Sequence, residues 1–173
     1  MANVSAHGIA RGERDALSSR YKGARTNLLI VALITLLNVI LAAVASDTYF
    51  LFSATIPYLL TLLPTIYCGM YPPEFYEGDL SGILFWPRQV FYIGLILSLV
   101  IIALYVLAFF FSSKGKGGWM VFALVLFGLD TLTMIAYCGI DPTWIMDYLF
   151  HIWILVISGS WSFSRLASAH ISS

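Results

Sequence analysis

Charge is scarce in this chain. Only 10% of the 173 residues are charged, nine Lys and Arg against nine Asp and Glu, where soluble domains usually carry roughly 25%. That scarcity excludes a soluble globular domain, and a formal net charge of zero leaves no basic surface for nucleic acid. Cysteine is nearly absent too. Cys68 and Cys138 are too few for a disulfide framework and stand at the ends of apolar runs rather than in a metal-binding spacing, so buried free thiols are expected.

Catalytic signatures are missing as well. There is no nucleotide-binding loop, zincin motif, nucleophile elbow or haem attachment motif. His7 and His170 lie in polar termini, and only His151 falls within an apolar run, which argues against a bis-histidine haem site within one chain. No serine has a histidine and an acid at helical spacing, the arrangement of an intramembrane hydrolase. The expectation is a protein that is not an enzyme and holds no cofactor or metal.

What is abundant is apolar sequence, 60% of the chain. Five runs stand out: Leu28 to Ala45, Tyr49 to Met70, Val90 to Phe111, Trp119 to Cys138 and Trp144 to Phe163. A helix of about 20 such residues, rising about 1.5 Å per residue, crosses a hydrocarbon layer about 30 Å thick. The fold class is therefore an all-α integral membrane protein, and the partner is the lipid bilayer. Three regions are expected: a polar, basic segment over 1–26 without the apolar core of a cleaved signal peptide, a transmembrane domain over 27–165, and a short polar tail over 166–173.

The second run differs from the others. Pro57 and Pro64 interrupt it and Ser53, Thr55, Thr61 and Thr65 dilute it, and each proline removes a backbone donor and clashes with the preceding turn. Kinked, re-entrant and surface-lying arrangements of residues 49–70 all remain open. Basic residues in short loops favour the cytoplasmic side, and Arg11, Arg14, Arg20, Lys22 and Arg25 place the amino terminus there. If the second run does not cross, Lys114, Lys116 and Arg165 join them and Arg88 alone lies outside, with Glu74, Glu77 and Asp79. A bundle of four spans is therefore preferred, with five as the alternative.

Polar residues inside the runs carry the sharper information. An ionisable group near the bilayer centre costs roughly 2.5–3.5 kcal/mol on insertion scales, so it faces the bundle and finds a partner. Gly139, Ile140, Asp141 and Pro142 alone join the last two runs, which forces an antiparallel hairpin. Residues whose numbers sum to about 281 then lie level, and Asp130 with His151 satisfies that condition. Asp147 lies one helical turn before His151 on the same face. With Asn38 at a similar depth, the expected intramembrane polar cluster is Asn38, Asp130, Asp147 and His151. It reads either as structural glue between helices or as a group that handles protons or cations.

Smaller signals have plainer readings. Asp141 precedes Pro142 and is placed to cap the last helix, with Pro142 at its first position. The acids Glu74, Glu77 and Asp79 read as a solvated loop rich in turn formers, and Trp119, Trp144 and Trp161 as interfacial anchors. Gly159 and Ser160 offer a place for close helix approach. An offset of 92 residues places Lys22-Gly23 opposite Lys114-Gly115 and Asn38 opposite Asp130, a weak internal repeat that chance explains equally well.

The stretch from Gly118 to Thr131 (GWMVFALVLFGLDT), with Asp147 to Trp153 (DYLFHIW) and Tyr49 to Ala54 (YFLFSA), resembles small polytopic membrane proteins of Gram-positive bacteria. The resemblance implies a bacterial cytoplasmic membrane and supplies no activity, substrate or site. Two functional classes stay open: an accessory or scaffold subunit packing against another membrane protein or a second copy, and a small transporter or channel-like protein using the Asp/His cluster.

Overall fold

The computed structural model describes the backbone of residues 2–76, 84–113, 118–139 and 141–171, and side chains except those of 1–11, 13, 14, 17, 158 and 160–171. Glu77, Asp79, Lys114, Lys116 and the side chains of Trp161 and Arg165 lie outside the described residues. Within them the chain is helical and has no strand. Five helices follow in order: α1 (Ala2–Ala43), α2 (Thr55–Tyr67), α3 (Arg88–Ser113), α4 (Gly118–Cys138) and α5 (Ile145–Ile171). Short 3-10 turns occupy Pro73–Phe75 and Pro142–Trp144.

Three helical stretches are long and apolar enough to cross a membrane: Ser18–Ala43, Arg88–Ser113 and Gly118–Cys138. Their outward residues are large and apolar, including Leu33, Ile40, Ile96, Val125 and Leu132, all more than half exposed. A surface of that kind is stable against lipid, where burying it from water is not required. α1 and α5 both continue as helix through the boundaries that polarity suggested near residues 26 and 166.

α1 and α3 run antiparallel, fastened near one end by Tyr21, whose hydroxyl donates to the Ser112 carbonyl at 2.7 Å. Arg25 joins it, with Nη2 3.3 Å from the Phe109 carbonyl and the guanidinium 4.9 Å from the centre of the Phe109 ring. The opposite end gathers the carboxyl end of α1, the amino end of α3, and the turn between α4 and α5. It is called the turn end below.

Residues 44–67 begin and finish at the turn end. α1 stops in a tight cap, with the Ser46 N–H donating to the Leu41 carbonyl at 2.9 Å and Ala45 at φ 54°. The chain then folds back along α1 in irregular conformation until the Ala54 N–H meets Thr35 Oγ1. There α2 starts and returns toward the turn end, where the Trp86 N–H donates to the Tyr67 carbonyl at 2.8 Å. With 13 residues, α2 is about 20 Å long, short of the roughly 30 Å of a hydrocarbon core.

The prolines explain how α2 packs. Pro57 sits in the first turn, where its missing donor is not needed, and its carbonyl accepts from Ser98 Oγ on α3 at 2.7 Å. Pro64 has no N–H to offer the Leu60 carbonyl, and α3 closes on that spot with Gly94. A Cβ at position 94 would lie 2.1 Å from the Leu60 oxygen. Close approach therefore occurs at Gly94 and not at Gly159, where an added Cβ would meet nothing within 4 Å.

Candidate functional site

The buried polar cluster forms where α1, α4 and α5 surround the irregular segment. Asn38 and His151 are fully buried, and Asp130 and Asp147 are 1% exposed. Asp130 and His151, level in the hairpin by their numbering, meet with Oδ2 3.2 Å from Nε2. His151 Nδ1 lies 2.8 Å from the carbonyl of Asp147. A carbonyl only accepts, so Nδ1 carries the hydrogen. Nε2 then faces Asp130 Oδ2 across that 3.2 Å contact. Phe127 stacks on the imidazole, with ring centres 4.7 Å apart and planes 11° from parallel.

The main partners of the cluster are backbone amides of 50–56. Asp130 accepts from the Thr55 N–H at 2.8 Å and the Ile56 N–H at 2.6 Å. It thereby caps the amino end of α2 from another helix, where free N–H groups and the helix dipole both favour an anion. Asp147 accepts from the Phe52 N–H at 2.8 Å. Asn38 accepts from the Phe50 N–H at 2.9 Å and donates through Nδ2 to the Phe50 carbonyl at 2.7 Å and to Ser53 Oγ at 2.8 Å.

Asn38 does not touch Asp130. A side-chain relay joins it to the other half of the cluster: Ser53 Oγ donates to Tyr49 Oη at 3.2 Å, and Tyr49 Oη reaches Asp147 Oδ2 at 3.4 Å. Thr35, Tyr49 and Ser53 thus belong to the site although the polar-residue pattern alone did not select them. Thr35 stands three residues before Asn38 on one helical face, a spacing that could have found it.

Phe52 has a left-handed backbone, φ 72°, unusual for a bulky residue. Asp147 holds its N–H and the Phe150 ring packs 4.6 Å from its own. The strain is stored where the descending chain turns toward α2. Five amides within a stretch of seven residues, those of 50, 52, 54, 55 and 56, are each held by a side chain from a surrounding helix. Irregular backbone at membrane depth is tolerated only when protein satisfies it in this way.

No family model, no curated protein and no solved structure matches the chain. The site is therefore argued from its own geometry. Among the described residues no group of three or more His, Cys, Asp or Glu is arranged to hold a metal ion.

The secondary signals resolve individually. Asp141 caps the Pro142–Trp144 turn that leads into α5, accepting from the Thr143 N–H and hydroxyl, both at 2.8 Å. Those two donors hold its carboxyl below the usual carboxylate range. Cys68 is buried as expected, whereas Cys138 is partly exposed, because it ends α4 beside a cavity and not inside the bundle. Trp144 is more than a surface anchor: its ring meets Tyr49 edge-on at 5.8 Å.

Proposed function

We propose that the chain is a four-span protein of a bacterial cytoplasmic membrane, with a cytoplasmic amino terminus and residues 44–67 as a re-entrant loop and half-helix. The observation that carries this reading is the return of α2 to the end from which the loop descended, together with its short length. Charge agrees with it. With α1, α3, α4 and α5 crossing, eight of the nine basic residues lie on the amino-terminal side and Arg88 alone lies opposite.

The protein then serves as a non-enzymatic accessory or scaffold subunit that packs in the bilayer. The cluster Asn38, Asp130, Asp147 and His151 supports this, since its hydrogen-bonding capacity is spent on holding the re-entrant backbone and leaves little for a substrate. Extraction under an affinity tag in mild detergent, with the mass of the recovered species measured, tests the reading. A stoichiometric membrane-protein partner is the expected result.

A second reading rests on the buried contact between His151 and Asp130: the pair would handle protons or cations. It predicts that liposomes holding the protein conduct protons and that His151→Gln abolishes the flux. Proton flux of that kind from protein recovered without a partner would overturn the accessory reading.

A further inference from the structure

A cavity of about 190 Å³ lies at the turn end beside the cluster; the rings of Tyr49, Tyr58, Tyr137 and Trp144 form part of its wall, and the rest includes the aliphatic Leu59 and Leu62. Tyr49 stands 4.8 Å from Tyr58 and 5.8 Å from Trp144, centre to centre. No basic side chain lines it. A drug-sized ligand needs roughly 300–1,000 Å³, so this cavity has room only for a small group.

Charge selects what that group is. The cluster behind the cavity contains two carboxylates and one imidazole, and the imidazole is committed to Asp130. Asp147 has no ion-pair partner among the described residues, and its nearest link to the cavity is the Tyr49 hydroxyl at 3.4 Å. Among the described residues of the turn end the acids are Asp47, Glu74 and Asp141, and the base is Arg88. Aromatic faces attract cations through their quadrupole, most strongly where water is excluded, and cages of such rings are the usual way proteins hold alkylated ammonium groups.

We propose that this cavity binds a small alkylammonium group, either on a free molecule or on a lipid headgroup, with the four rings as its cage and Asp147 as the counter-charge behind Tyr49. The site is separate from the accessory role and does not depend on it. It asks only that the turn end be folded as described.

The test is calorimetric titration of choline into the full-length protein held in discs of pure phosphatidylglycerol, which offers no ammonium group. Saturable binding is expected, with no binding of the neutral isostere 3,3-dimethylbutan-1-ol. Trp144→Leu and Tyr137→Leu are each expected to weaken choline by about tenfold or more. Tyr137 is 54% exposed, so its replacement leaves the core intact even if the Trp144 variant fails to fold. In discs of phosphatidylcholine, loss of the choline signal assigns the site to the lipid headgroup, and its persistence assigns it to a free ligand. Absence of saturable choline binding, equal binding of the neutral isostere, or full affinity in Tyr137→Leu would overturn the proposal.

Discussion

At the scale of single residues, the buried polar groups of the helices act through the backbone they hold. Asp130→Ala leaves the Thr55 and Ile56 amides without acceptors in a dry interior. Each such amide costs about 1–3 kcal/mol, more than the roughly 0.6 kcal/mol average for a side-chain hydrogen bond between spanning helices. The helix-to-helix figure is small because an unfolded span finds other partners in the membrane. Irregular backbone at 50–56 has no such substitute. A large drop in thermal midpoint is therefore expected for Asp130→Ala in detergent. His151→Gln and Asp130→Asn, being in contact, should couple by about 0.5–3 kcal/mol in a double-mutant cycle. Purely additive losses would remove the contact.

Asp141 belongs to the same scale with a different solvent. Its carboxyl is held below the usual range by Thr143, so the folded state binds its proton less readily than the unfolded state. The stabilisation is complete above the ordinary carboxylate pKa and is lost as pH falls through the lower, folded value. Asp141→Asn is expected to lower stability slightly at neutral pH, where the carboxylate contributes, and to converge with the parent protein at low pH, which flattens the acid limb. An unaltered acid limb would remove the cap from the account.

At the scale of elements, α2 and α3 meet closely at a glycine. Gly94→Ala drives a Cβ toward the Leu60 carbonyl, 2.1 Å away with the backbone unmoved, and overpacking of this kind typically costs about 1–3 kcal/mol. The opposite sign is expected at Ala45, whose left-handed φ of 54° costs a residue with a Cβ roughly 1–2 kcal/mol. Ala45→Gly removes that cost at the end of α1 and should raise the thermal midpoint. A lowered midpoint would mean that the cap is not held as described.

How far the sequence discloses these elements depends on what each contact is made of. The Asp130–His151 pair was legible because a four-residue connection fixes the register of two antiparallel helices, and position along a helix then translates directly into depth. Asp141 was legible because capping is local chemistry. The true partners of Asn38, Asp130 and Asp147 were not, because they are backbone amides, and an amide has no identity in a sequence. Ser53, Thr55 and the prolines marked residues 49–70 as irregular without saying which helices would hold them. Gly94 escaped notice because a glycine in an apolar run signals close packing only once its neighbour is known.

At the scale of the whole molecule, the apolar exterior and the buried polar cluster describe a bundle organised around a segment that enters it and turns back. Helix packing alone would leave the amides of residues 50, 52, 54, 55 and 56 without partners. The polar side chains of α1, α4 and α5 supply them, and this explains why these apolar helices retain ionisable groups at all. The central claim is that residues 44–67 enter and leave on one side of the membrane. It is tested most directly by single cysteines at Asp47 and Glu74, which flank the segment, in a background with Cys68 and Cys138 replaced. In intact cells both sites should react, or both fail to react, with a membrane-impermeant maleimide, and the proposed orientation has both reacting from outside. Labelling of one site and protection of the other would place them on opposite faces and contradict the re-entrant fold.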